Sequence, residues 1–239
     1  LTQHTMVGIA VTLSLWSLIN YFQTKKSRWF LTVGLGIGIA LSLHYQAIGL
    51  LMMGGVVFLV QSKNWIRILK DGAIYTLGIL FPALPLIWWD AHQQWANMRN
   101  LLDYIFIAQY RIFVSRRWLG FIKDFLPETL GKIIGGYKLI GWVLIIFCGI
   151  TFTLAVKQRR VPRAILCLMI ILGVQIVILR YSRIELFEGY TIFIQPIIFL
   201  LVGWGLTKAW EQKLFHIVTG MVLLLTVIAS LMKSIEIFA

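Results

Sequence analysis

The sequence predicts an all-α fold, a polytopic transmembrane helical bundle, on three observations. The chain is 59% hydrophobic, with a mean hydropathy of +0.85; soluble domains carry about 45–50% apolar residues even with glycine counted. Only 13% of its residues are charged, against about 25% in an average soluble chain. The apolar residues gather into runs close to the roughly 20 that carry a helix across a hydrocarbon core, with basic residues clustered between them.

The first run is 5–22. The second, 29–61, is too long for one crossing. It holds Gly34, Gly36 and Gly38 early, then His44, Tyr45 and Gln46 in its middle. Lys25, Lys26 and Arg28 precede it, and Lys63, Arg67 and Lys70 follow it. Basic flanks belong in the cytoplasm, so both ends lie inside. The run is therefore expected to be a hairpin of two short helices, 29–44 and 46–61, with His44-Tyr45 at the outer turn. Further spans are expected at 71–89, 138–156, 164–180, 190–207 and 214–232, which makes about eight helices.

Charge sets the orientation. Placing 23–28, 62–71, 157–163 and 208–213 inside gathers twelve basic residues there against two acids, Asp71 and Glu211. The long loop 90–137 then lies outside the cytoplasm, and the protein is expected to be a multi-pass plasma (inner) membrane protein. Within that loop Leu101, Leu102, Ile105, Phe106 and Gln109 have helical spacing, as do Trp118, Phe121, Ile122 and Phe125. Aromatic amphipathic segments of this sort lie in the interface plane. Gly135 and Gly136 break the chain before the next span. The net charge of +13 is spent on topology rather than on nucleic acid. Cys148 and Cys167 sit inside apolar runs as small hydrophobes. The chain begins at Leu1 with no basic leader, and residues 1–239 read as one transmembrane domain, the C-terminal part of something longer.

Polar residues that could carry chemistry collect at the outer face. The stretch PLIWWDAHQQW (85–95) brings Asp90 and His92 next to three tryptophans. Two positions apart, the pair points to opposite faces of a continuous helix. It shares a metal only if the helix stops at Trp89; otherwise it marks a helix end in an aromatic belt. His44-Tyr45 is a polar pair between apolar helices, a site of function when it lines a cavity. Arg111, Arg116, Arg117, Arg180 and Arg183 run against the positive-inside trend, and a guanidinium matches phosphate oxygens bidentately. Glu185 and Glu188, three apart, hold a divalent ion or a proton, or else pair with Arg180 and Arg183.

Three stretches in order resemble the later half of the GT-C class of membrane glycosyltransferases. These are GLGIGIALSLHYQAIGLLMM (34–53), FPALPLIWWDAHQQW (81–95) and EGYTIFIQPIIFLLVGWGL (188–206). The likeness is nearest to the dolichyl-phosphate-mannose protein mannosyltransferase and aminoarabinose transferase superfamily. There, a glycine-rich helix ends in a polar-aromatic pair, a proline-rich span closes on Trp-Asn, and an outer loop leads to a Tyr, here Tyr190, with a Pro one or two turns into the next span. This chain departs at Asp90, where Asn is usual, and at His92, one position early.

The resemblance implies sugar transfer from a polyprenyl-phosphate-linked donor to an acceptor at the extracytoplasmic face. The five arginines would hold the donor phosphate. His44, Tyr45, Asp90, His92, Glu185, Glu188 and Tyr190 would form the substrate rim, and the catalytic acid would lie upstream of Leu1. No cofactor is fixed by it; a divalent metal is the one candidate. Partners are the lipid-linked donor and membrane lipids, not nucleic acid. The competing readings are a transporter or lipid flippase, and a membrane scaffold. A transporter places charge near the midplane in broken helices; here the polar groups sit at one face.

Overall fold

A computed structural model describes residues 3–61, 64–103, 106, 117–180, 192–211 and 216–238. The regular elements among them are all helical. They are α1 (Gln3–Thr24), α2 (Ser27–Leu43), a 3-10 segment (Tyr45–Leu51), α3 (Met52–Gln61), α4 (Trp65–His92) and α5 (Ala96–Leu102). Next come α6 (Arg117–Gly120), a π turn (Phe121–Phe125), α7 (Leu126–Ile134), α8 (Lys138–Lys157), α9 (Arg163–Arg180), α10 (Gln195–Trp210) and α11 (His216–Phe238).

Thr5–Thr24, Trp65–His92, Lys138–Lys157 and His216–Glu236 are long and apolar enough to cross a membrane, and Ser27–Leu43, Ala47–Phe58 and Arg163–Leu179 are apolar but shorter. Their surfaces agree with that solvent. Along α11, Ile217, Met221, Leu224, Leu231 and Ile235 are each more than half exposed. Facing water, an apolar stripe of that size is a liability; facing lipid, it is the normal state. The chain is thus built like a membrane protein.

The described residues group into two compact units, one within Leu1–Phe113 and Arg163–Ile197, the other within Val114–Pro162 and Ile198–Ala239. In the first unit, glycines set the helix spacing. Gly36 faces Ala10 and Ser14 of α1, while Gly34 and Gly38 face Tyr75, Gly78, Ile79 and Pro82 of α4. A side chain at any of the three would overlap backbone, so α2 lies flush between α1 and α4, as small residues permit in membrane bundles. Ser14 ties the first crossing by donating to the carbonyls of Ala10 (3.0 Å) and Val33 (3.2 Å). Phe30, fully buried, stacks on Tyr21 and Tyr75 with centroids 4.8 and 5.0 Å away and meets Phe58 edge-on at 5.3 Å. One aromatic cluster thus joins α1, α2, α3 and α4. The Tyr75 hydroxyl donates to the Leu51 carbonyl at 3.1 Å, docking the end of the 3-10 segment.

In the second unit α7 packs on α8 through Gly131 and Gly141, which rest on the backbone of Tyr137 and Pro127 respectively. Ile140, Leu144 and Phe147 of α8 form a core with Ala209, Val222 and Ala229. The Tyr137 hydroxyl donates to Glu236 at 2.6 Å, and Lys233 pairs with the same carboxylate at 2.9 Å.

Several expectations need adjusting. The break inside 29–61 falls at His44 as expected, but the second arm opens as 3-10 before it becomes α3. The helix expected over 118–126 is a short α6, a π turn and then α7 running to Ile134. Pro127 explains the π turn: it has no N–H, and its ring pushes on the carbonyl four residues back. The expected segment 101–109 is helical to Leu102, and its remainder falls largely outside the described residues. The glycine break holds, with α7 ending at Ile134 and Gly136 at φ +82°. Pro196 does not lie one or two turns into a span but is the second residue of α10, where its missing N–H costs nothing.

Candidate functional site

A cavity of about 590 Å³ opens in the first unit beside the C-terminal ends of α2 and α4. Two local breaks build it. α2 stops because His44 turns extended (φ −152°, ψ 105°), although its N–H still reaches the Ala40 carbonyl at 2.8 Å. The His44 carbonyl then accepts from Ala47 N–H at 3.0 Å to start the 3-10 segment. α4 stops after His92, and Gln94 and Trp95 take left-handed backbone, φ 55° and 62°. The chain folds back there, and the Asp90 carbonyl accepts from Trp95 N–H at 2.8 Å.

Asp90 fixes the return. Its carboxylate is 5% exposed and accepts from the backbone N–H of Asn97 (2.8 Å) and Met98 (3.0 Å). Those are the second and third residues of α5, whose donors a cap residue ordinarily satisfies. Trp95 holds the cap position and makes no side-chain cap bond. Asp90 therefore caps α5 from the end of α4, with its charge at the positive end of the helix dipole. Replacing Asp90 with alanine is expected to cost about 1–2 kcal/mol. Hydrogen exchange should show Asn97 and Met98 amides at least about tenfold less protected, with α2 unchanged; unaltered protection would refute the cap.

The cavity wall is mainly apolar, with Leu41, Ile48, Ala83, Leu86, Ile87 and Leu101 among its residues; Ser42, His44, Asp90, Asn97 and Asn100 supply its polar points. A mostly apolar cavity with a few polar groups is the usual form of a small-ligand site.

The structure sorts the expected site residues. His44 and Asp90 come to one cavity. His92 does not join them: α4 is continuous through it, so it points out, exposed, its Nδ1 2.8 Å from the Trp88 carbonyl and its ring 4.7 Å from that of Trp88. His92 is thus not among the residues that line the cavity, and Asp90 and His92 have separate partners, the α5 backbone and the Trp88 carbonyl. Trp88, Trp89 and Trp95 are exposed, as an interfacial belt requires. Arg117 begins α6 and Arg180 ends α9, but their side chains, like that of Tyr45, lie outside the described residues. So do Arg111, Arg116, Arg183, Glu185, Glu188 and Tyr190. Among the described residues no three His, Cys, Asp or Glu side chains converge as a metal site.

Sequence reasoning missed the partners. Asn97 and Asn100, three apart on a short polar helix, are a signal that periodicity could have supplied. It also missed two buried polar groups of the same unit. Asp71, counted as a cytoplasmic loop charge, is 1% exposed. It accepts from the hydroxyls of Tyr21 and of Ser27 (2.6 Å) and lies 3.5 Å from Arg67 Nε. Gln175 on α9 is fully buried against Gly49, and neither atom of its amide has a partner among the described residues.

No protein-family model, no curated protein and no solved structure matches this chain.

Proposed function

We propose that this chain belongs to a membrane glycosyltransferase that moves a sugar from a polyprenyl-phosphate-linked donor to an acceptor at the extracytoplasmic face. The observation that carries the reading is the cavity at the ends of α2 and α4: an apolar space, sized for part of a lipid chain, with His44, Asp90, Asn97 and Asn100 at it. An apolar chain buries there at about 25 cal/mol per Å², while the amides and imidazole donate to or accept from sugar hydroxyls. Asp90 spends both carboxylate oxygens on α5, so it shapes the site rather than acting as a base. The five arginines of the outer segments are proposed to hold the donor phosphate, electrostatic work that stabilises a leaving phosphate.

Filling the cavity tests this. In the complete protein, Ala83→Trp is expected to lower kcat/KM for a long-chain polyprenyl-phosphate sugar at least tenfold, about 1.4 kcal/mol, and to spare a short-chain donor analogue. Equal effects on both donors would refute the chain-binding role.

A second reading, a lipid flippase or transporter, draws on Pro82 and Pro85 inside α4 and on the unpartnered Gln175 amide. A proline within a span frees a backbone carbonyl of its helical partner, and freed carbonyls with buried polar groups mark transport paths. Reconstituted protein that moves labelled lipid between leaflets and transfers no sugar from any lipid-linked donor would select it.

A further inference from the structure

Three tryptophans stand where α4 ends, and the cavity sets one apart from the others. Trp88 and Trp89 are 71% and 52% exposed, and neither lines the cavity. A place in the interfacial belt accounts for both. Trp95 does line the cavity, beside Asn97 and Asn100, and stays 45% exposed. Among the described residues its indole stacks on no ring and makes no hydrogen bond.

The backbone at Trp95 is strained. It sits at φ 62°, ψ 34°, directly after Gln94 at φ 55°. Glycine and asparagine take this left-handed conformation most readily, and a bulky side chain rarely does. The fold-back itself does not use the indole. Trp95 N–H donates to the Asp90 carbonyl at 2.8 Å, and the Trp95 carbonyl accepts from Arg99 N–H at 2.9 Å. The Asp90 carboxylate holds the first turn of α5. A glycine would make the same turn with less strain. Strain kept where the turn does not require it points to work done by the ring.

Asn97 and Asn100 are three apart on α5, so their side chains share a face, and both line the cavity. Asp90 takes the backbone N–H of Asn97, not its carboxamide. Among the described residues neither carboxamide is hydrogen-bonded. Each therefore keeps two donors and an acceptor oxygen. An indole face is electron-rich and attracts weakly positive C–H groups. A pyranose presents both complements, a face of C–H groups and a rim of hydroxyls.

We propose that Trp95, Asn97 and Asn100 form a pyranose subsite at the cavity, with the indole against the C–H face of the sugar and the two carboxamides on its hydroxyls. The inference rests on the sugar-transfer reading. It adds where the sugar of the donor lies, and a residue, Trp95, that recognises it.

The complete protein in phosphatidylcholine nanodiscs is titrated with tritiated farnesyl phosphate, and with the same lipid linked to glucose, mannose or galactose; empty nanodiscs are subtracted. Wild type should bind at least one sugar-bearing form about 30-fold or more tighter than bare farnesyl phosphate. Trp95→Gly should cut that preference about 5- to 10-fold and leave the affinity for bare farnesyl phosphate unchanged. Trp95→Phe, which keeps a ring, should hold it within about threefold of wild type. Asn97→Ala with Asn100→Ala should lower it about 5- to 10-fold, while the Asp90 bonds, which use backbone N–H groups, persist. Trp89→Ala should leave it unchanged. Trp95→Gly should also melt above Trp95→Ala, since glycine relieves the left-handed strain, which supplies a folded variant without the indole. Full preference in Trp95→Gly, or an equal loss in Trp89→Ala, would overturn the subsite and leave the sugar-transfer reading standing. Failure of wild type to bind any of the four lipids would overturn that reading and the subsite together.

Discussion

Replacing Asp71 with alanine is expected to destabilise the first unit by about 2–4 kcal/mol. The carboxylate is 1% exposed and ties three segments: Tyr21 near the end of α1, Ser27 at the start of α2 and Arg67 in α4. Hydrogen bonds to a charged group contribute about 1.5–3 kcal/mol each, and two hydroxyls lose their acceptor in the variant. The Arg67 pair adds little, because that guanidinium is 43% exposed and solvent screens it. Reversible unfolding in detergent measures the loss. A double-mutant cycle with Tyr21→Phe should give a coupling of about 1–3 kcal/mol, and strictly additive effects would show that the two groups do not act together.

Gly34→Val is the second large effect, expected to cost about 3 kcal/mol or to prevent α2 from seating on α4. An ideal Cβ at Gly34 overlaps the Tyr75 carbonyl oxygen and comes within 3.1 Å of the Gly78 Cα. Those are backbone atoms, which cannot rotate away, so the helices must separate. Overpacking of a close contact costs about 1–3 kcal/mol when it can relax, and here the Phe30 aromatic cluster would be pulled apart as well. Gly173→Ala is the matched comparison. Nothing lies within 4 Å of its Cβ position, so alanine there should be neutral or stabilising by up to about 1 kcal/mol through helix propensity. Thermal unfolding of both variants decides the matter; similar losses would mean that α2 and α4 do not meet through Gly34.

Local chemistry made parts of this architecture readable. A polar pair inside 29–61 marked the turn at His44, because an apolar run that long exceeds one crossing. Two consecutive glycines marked the end of α7. The Trp88-Trp89 pair marked an exposed helix end. Other features depend on neighbours far along the chain. Asp71 follows Lys70 near the start of an apolar run and looks like a loop charge. Its burial comes from Tyr21, fifty residues earlier. Asp90 read as a rim residue at a helix end, but that the backbone of α5 claims both its oxygens was not legible. Gln175 gave no signal at all in an apolar helix.

The sequence alone determined the solvent and the element type. Composition and run length depend only on which residues are present, and an apolar segment in lipid must satisfy its backbone internally as a helix. It also placed His44 and Asp90 at helix ends, since breaks are set by residues a few positions apart. Tertiary structure decided which glycine meets which helix, with Gly34 and Gly38 turned to α4 and Gly36 to α1. It brought His44 and Asp90 to one cavity while leaving His92 exposed, and it buried Asp71 against Tyr21 and Ser27. Those juxtapositions arise from helix rotation and crossing, which are fixed by packing between distant segments and leave no periodic trace along the chain.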